Sequence, residues 1–83
     1  MSQNIINQIS NDFYTAWGNR QAKRKSFQIY YNTSHTEYRM DIPVKGKKDT
    51  AEKILGRFIE SVQENHSLRD LSELHVSTII GTF

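Results

Sequence analysis

The sequence predicts an α+β fold with the order α-β-β-α-β, a three-stranded sheet of strand order 2-1-3 and two helices packed on one face. Three observations support this prediction. Apolar residues recur at helical spacing in two segments, they alternate in two short runs joined by a turn, and the C-terminal segment is rich in β-prone residues. With 83 residues, we expect one domain spanning residues 1–83.

The first segment is predicted to be a helix because its apolar residues lie three or four positions apart. This spacing places them on one face: Ile5, Ile6, Ile9, Phe13 and Trp17. Gly18 and Asn19 follow directly and are typical of a helix end.

Two alternating runs then predict a β-hairpin. The core-side residues are Phe27, Ile29 and Tyr31 in the first run, and Tyr38, Met40, Ile42 and Val44 in the second. A four-residue loop, Thr33 to Thr36, pairs core-side residues with one another: Tyr31 with Tyr38, Ile29 with Met40, and Phe27 with Ile42. Pro43 cannot donate a ladder hydrogen bond, so the second strand is expected at an edge of the sheet.

A second helix follows, with Asp49 and Glu52 resembling a capping box at its start. Its apolar stripe is almost complete: Ala51, Ile54, Leu55, Phe58, Ile59 and Val62. The helix is expected to end near Glu64 to His66, residues 67–74 to add a short turn, and residues 75–83 to form the third strand. The face of the sheet away from the helices then presents polar residues to solvent or to a partner: Gln28, Tyr30, Asn32, Glu37, Arg39 and Asp41.

Charge is distributed unevenly along the chain. Residues 20–48 contain eight Lys or Arg against two acidic residues, a net charge of +6, whereas residues 49–83 contain three against six, a net charge of −3. The hairpin is expected to bring seven cations to the same end of the sheet, which we call the basic end: Arg20, Lys23, Arg24, Lys25, Lys45, Lys47 and Lys48. Such an end can meet an acidic protein or nucleic acid.

The aromatic residues favour a protein partner over nucleic acid. Phe27 and Tyr31 belong to the core side, which leaves Tyr30 as the aromatic residue on the polar face, whereas a sheet that reads single strands normally shows two or three. The register places Tyr30 opposite Arg39 and suggests a cation–π pair. We therefore expect a protein with an acidic surface to bind at Tyr30, Arg39 and the basic end. The alternative is nucleic acid bound through its phosphates at the basic end.

No catalytic or metal-binding pattern is found, so we expect a non-enzymatic protein without a cofactor. The histidines, His35, His66 and His75, show no metal-ligand spacing. Glu37 and Asp41 share a strand face, but their Cα atoms are expected about 13 Å apart, too far for a catalytic pair. The stretch VKGKKDT, residues 44–50, lacks the spacing of a P-loop.

The remaining expectations concern location and self-association. The sequence has no cysteine, no signal-peptide pattern and no apolar run of membrane-spanning length, so we expect a cytoplasmic protein that does not contact membranes. The third strand is uncharged over residues 77–83, so its edge is expected either to pair with a second copy, giving a homodimer through the C-terminal strand, or to receive a strand from a partner. Alternatively, the first helix or the acidic stretch Asp70 to Glu73 covers this edge. The size suits a regulator or inhibitor that occupies a partner's surface.

Overall fold

A computed structural model describes residues 3–18, 25–45 and 51–82. In chain order the elements are α1 (Gln3–Trp17), β1 (Ser26–Asn32), β2 (Glu37–Pro43), α2 (Ala51–Asn65), α3 (Leu68–Ser72) and β3 (His75–Thr82). The three strands form one sheet in the order β2-β1-β3, and β1 is antiparallel to both neighbours. The predicted fold class, strand order and edge position of β2 are confirmed.

Helix α1 forms where the apolar stripe predicts it. Ile9 and Phe13 are fully buried, and Trp17, the last helical residue, packs against Phe27 with ring centroids 4.5 Å apart. Gly18 has φ = +67°, a left-handed conformation that glycine adopts readily and other residues adopt under strain. The predicted end of the helix at this glycine is therefore confirmed.

The hairpin has the predicted register in full. Tyr31 pairs with Tyr38, Ile29 with Met40, and Phe27 with Ile42. The backbone N–H of Thr33 donates to the carbonyl of Thr36 at 3.0 Å and closes the predicted four-residue loop.

Helices α2 and α3 follow the second predicted stripe and the predicted short turn. In α2 the inward residues are Ile54, Leu55, Phe58 and Val62, all buried. The Ser67 side chain caps α3 by accepting a hydrogen bond from the N–H of Asp70 at 3.2 Å. Asp49, predicted to cap α2, lies outside the described residues.

The core lies between the helices and one face of the sheet. Helix α1 packs mainly on β3, and α2 packs on β2 and on α1. The largest fully buried side chains, Phe13 and Phe58, meet there with ring centroids 6.2 Å apart. Because the described helices lie on one side, the opposite face of the sheet carries polar residues and is left uncovered.

Helix α1 contacts the outer edge of β3 near the first residues of that strand. The N–H of Val76 donates to Oδ2 of Asp12 at 2.8 Å, and the same carboxylate lies 3.4 Å from Nδ1 of His75. The pairing of β3 with β1 shifts by one residue between Tyr30 and Tyr31. This contact supports the alternative in which the first helix protects the edge. The homodimer through the C-terminal strand stays a prediction.

Candidate functional site

The uncovered face of the sheet is the candidate site, and we call it the open face. Three strands contribute exposed or half-buried side chains to it: Gln28, Tyr30, Asn32, Glu37, Arg39, Asp41, Ser77, Thr78 and Ile80. Its polar residues point outward because side chains alternate along a strand and the apolar set is buried under the helices. The predicted composition of this face on β1 and β2 is therefore confirmed.

Tyr30 occupies the middle of the open face. It lies opposite Arg39 on β2 and opposite Thr78 on β3, and its hydroxyl donates to Oε1 of Gln28 at 3.2 Å. Ile80 lies opposite Gln28 and is 44% exposed. The centre of the open face thus combines an aromatic ring with an exposed aliphatic group.

A shallow depression of about 320 Å³ adjoins this centre. Its lining comes from all three strands: Tyr30, Tyr31, Glu37, Tyr38, Ser77, Thr78 and Ile80. The lining includes two residues with aliphatic hydroxyl groups, Ser77 and Thr78, and one acidic residue, Glu37. A depression of this kind suits a protruding side chain of a partner better than an enclosed small molecule.

Arg39 is held by a charge on its own strand. Its Nε lies 3.6 Å from Oδ1 of Asp41, and both side chains are more than half exposed. The predicted cation–π pair with Tyr30 is absent from the ring contacts of residues 3–18, 25–45 and 51–82. Residues two apart on a strand share a face, so the carboxylate of Asp41 can reach Arg39, and its full negative charge attracts the guanidinium more strongly than the face of a ring does.

Two members of the basic end fall within the described residues, and the fold brings them together. The carbonyl of Lys25 accepts a hydrogen bond from the N–H of Val44 at 2.8 Å, so Lys25 and the next residue along, Lys45, meet at the same end of the hairpin. Both lysines are exposed. The other members, Arg20, Lys23, Arg24, Lys47 and Lys48, lie outside the described residues.

Arg57 is a further cation near this end that sequence reasoning missed. Its Nη1 donates to the carbonyl of Pro43 at 3.1 Å, which anchors α2 to the last residue of β2. Its position in the sequence, on the polar side of a helical stripe, predicts only exposure. The packing of α2 beside β2 creates the contact.

A hydrogen bond between Tyr31 and His66 was also missed. The Tyr31 hydroxyl lies 2.9 Å from Nε2 of His66, and the His66 ring contacts that of Tyr38 at 4.7 Å. His66 follows the last residue of α2, at the predicted helix end, but it is half-buried, whereas a polar residue in that position is expected to be solvated. One signal was available, because a tyrosine on the core side of a strand needs a partner for its hydroxyl.

Burial of Tyr31 gives a testable dependence of stability on pH. Burial raises the pKa of its hydroxyl, and the neighbouring Tyr38 acts in the same direction. The unfolded chain therefore releases this proton at a lower pH than the folded protein. The stabilising contribution is complete below about pH 10 and is lost as the pH rises through the higher, folded-state pKa.

The variant Tyr31→Phe removes both this ionisation and the hydrogen bond to His66. At about pH 8 we expect the variant to be less stable than the wild type by about 0.5–1.5 kcal/mol, from denaturant unfolding. At about pH 11 the difference should shrink, because only the wild type must keep the Tyr31 proton. Tyr30→Phe on the open face is the matched control. An unchanged difference at the two pH values would contradict the assignment.

Other kinds of site find no support in the described part of the chain. Residues 3–18, 25–45 and 51–82 contain no group of three His, Asp or Glu side chains placed to hold a metal ion. None of the helices in these ranges has both the length and the apolar character needed to cross a bilayer.

Comparison of the chain with models of protein families, with curated proteins and with solved structures finds no match. The described residues form a small α+β domain whose helices cover one face of a three-stranded sheet and leave the other face open.

Proposed function

We propose that this chain is a non-enzymatic binding module that docks on a protein partner with an acidic surface and acts as a regulator or inhibitor by occupying that surface. The observation that carries the proposal is the open face, with Tyr30 and Ile80 at its centre and Lys25 and Lys45 at its end. Protein interfaces commonly have this organisation, with an aromatic or aliphatic centre and a polar rim.

The charges of the open face favour protein over nucleic acid. Glu37 and Asp41 are exposed on β2, and the one described cation on this face, Arg39, is paired with Asp41. A phosphate backbone crossing the sheet would meet these carboxylates. Tyr30 is the aromatic ring that the described part of the face offers for stacking, and sequence-tolerant binding of single strands uses several such rings.

The two parts of the site have different roles in this proposal. Tyr30 and Ile80 form the contact that loses water on binding and supplies most of the affinity. Lys25 and Lys45 lie at the rim, where they attract an acidic patch over a distance and set the orientation of the complex. Cytoplasmic location is part of the proposal and is supported by the cysteine-free sequence.

Tyr30→Ala is the variant that tests the proposed centre. It is used as bait beside the wild type and Tyr14→Ala, in which an exposed tyrosine of α1, away from the open face, is removed. We expect acidic proteins to be captured by the wild type and by Tyr14→Ala and to be lost with Tyr30→Ala. For a purified partner, Tyr30→Ala should raise the Kd about 30-fold, whereas Lys25→Gln should change it about fivefold or less.

A titration with labelled single- and double-stranded oligonucleotides at two salt concentrations separates the alternative function. Phosphate binding at the basic end predicts an affinity that falls steeply with salt, and a shallower dependence once Lys25 is neutralised. Binding with that salt dependence would replace the proposed function with nucleic-acid binding. Absence of binding at low salt, together with the Tyr30 result, would support a protein partner.

A further inference from the structure

Among the described elements, none pairs with the outer edge of strand β2. In an antiparallel pair, the backbone groups of every second residue hydrogen-bond to the neighbouring strand. The backbone N–H of Val44 donates to Lys25, and that of Thr33 donates to Thr36, which shows which residues of the hairpin these are. In β2 they are Tyr38, Met40 and Ile42, whose backbone groups point to β1. The peptide groups of Arg39 and Asp41 therefore point away from the sheet. They have no hydrogen bond to any other part of the described chain.

The end of this edge is closed at Pro43. Proline has no N–H, and its carbonyl accepts the hydrogen bond from Arg57. The free stretch is thus short and centred on Met40. On the helix side of the sheet, Tyr38 and Met40 are only half-buried, because no element of the described chain packs beyond β2 to cover them.

The pattern of charges along this edge is complementary to itself in one antiparallel register. The outward peptide groups belong to odd-numbered residues, so a second β2 can pair only with odd residues opposite odd residues. If the pairing is centred on Met40, Arg39 lies opposite Asp41 of the second copy, and Asp41 lies opposite its Arg39. The four charges then alternate in sign around the two-fold axis.

The two neighbouring registers of the correct phase bring like charges together. Centred on Arg39, the pairing places arginine opposite arginine and Glu37 opposite Asp41 of the second copy. Centred on Asp41, it places aspartate opposite aspartate. Like charges directly opposite each other destabilise a strand pair, and opposite charges stabilise it.

We infer that the chain forms a two-fold homodimer by antiparallel pairing of β2 with β2 of a second copy, in the register centred on Met40. The pairing makes a continuous six-stranded sheet in the order β3-β1-β2-β2-β1-β3. A two-fold axis perpendicular to the sheet keeps both sets of helices on one side and both open faces on the other. Tyr38 packs opposite Ile42 of the second copy and Met40 opposite Met40.

This dimer differs from pairing through the C-terminal strand and does not depend on the proposed partner. It uses the opposite edge of the sheet and leaves Tyr30, Ile80 and Lys25 outside the interface. Tyr30→Ala therefore tests the proposed function without testing the dimer. Variants at residues 39, 40 and 41 test the dimer, and not the proposed function, when the molar mass is measured.

Charge reversal provides the main test, with molar mass measured by sedimentation equilibrium. The wild type should pass from its chain mass of 9.7 kDa towards twice that value as its concentration rises to about 500 μM, a high range chosen because an edge-to-edge interface is small. Arg39→Asp and Asp41→Arg should each weaken the dimer by about 10- to 100-fold, because both central pairs become repulsive. Circular dichroism checks that each variant is folded.

Mixing the two single variants should restore the dimer, because each repulsive pair becomes an attractive one between the copies. Within each single variant, residues 39 and 41 still repel, so recovery on mixing reports an intermolecular contact. The double variant R39D/D41R should also dimerise. A wild type that stays monomeric to about 500 μM, or single variants that dimerise as well as the wild type, would overturn the inference.

A cysteine at the axis tests the register. In the proposed register, Met40 lies opposite Met40 of the second copy in a non-hydrogen-bonded pair. The two Cα atoms are then about 4.5 Å apart, a distance that a disulfide can span. Since the chain has no cysteine, Met40→Cys should form a covalent dimer under mild oxidation. Ser72→Cys, exposed on α3, is the control for random collision. Equal or slower cross-linking of Met40→Cys than of this control would exclude the register.

Discussion

Replacing Phe58 with alanine is expected to lower the free energy of unfolding by about 3–5 kcal/mol. Phe58 is fully buried on α2, where its ring lies 5.3 Å from that of Tyr31 and 6.2 Å from that of Phe13. It therefore joins α2 to both the central strand and α1. Truncation removes apolar contact with both of these elements and leaves a cavity between layers that are close-packed.

The expected loss is a large part of the total free energy of unfolding of the domain. A protein of 83 residues is stabilised by about 4–12 kcal/mol in total, so Phe58→Ala should bring the domain close to its folding limit. Urea unfolding followed by circular dichroism measures the change. If Phe58→Ala does not fold, Phe58→Leu, expected to lose about 1.5 kcal/mol, provides the measurement.

Tyr14→Ala is the control for this variant. Tyr14 is also aromatic and helical, but it is 46% exposed, so its truncation should change stability by less than about 1 kcal/mol. Similar losses for Tyr14→Ala and Phe58→Ala would show that Phe58 does not form the centre of the core.

The hairpin register was predictable because two independent constraints agree. Side chains alternate with a period of two, so a shift of one residue would place Ile29 and Tyr31 on the solvent side. The four turn residues from Thr33 to Thr36 then allow only one pairing that keeps both apolar sets on the same face. The edge position of β2 followed from the missing N–H of Pro43.

Contacts between elements distant in sequence were not predictable in the same way. Arg57 binds the carbonyl of Pro43, and Asp12 binds the N–H of Val76 across 64 positions of sequence. Neither residue differs locally from an ordinary charged residue on the polar side of a helix. Their partners are set by the position of each helix relative to the strands, and that position depends on the packing of the whole core.

The residues of the candidate site were predictable, but the side-chain partner of Arg39 was not. Alternation placed Tyr30, Arg39 and Asp41 on one face, and the register placed Tyr30 opposite Arg39, as the structure confirms. The partner of Arg39 was decided by electrostatics along its own strand, which the cross-strand pattern does not show. Ile80 was missed because the shift in the pairing of β3 with β1 cannot be read from alternation alone.

Asp12→Ala is the second variant for which we expect a large effect, a loss of about 1–3 kcal/mol in the free energy of unfolding. Val76 is 8% exposed, and its N–H points away from β1 to the carboxylate of Asp12. Without this acceptor, a largely buried donor loses its partner, and α1 loses its polar contact with the beginning of β3. Hydrogen exchange should show faster exchange at the Val76 amide in the variant.

Two further substitutions separate the contributions at this carboxylate. Asp12→Asn keeps an oxygen that can accept from Val76, so it should be less harmful than Asp12→Ala. His75→Ala removes only the exposed imidazole near this carboxylate and should change stability by less than about 1 kcal/mol. If His75→Ala were as harmful as Asp12→Ala, the contact between imidazole and carboxylate, and not the backbone hydrogen bond, would join α1 to β3.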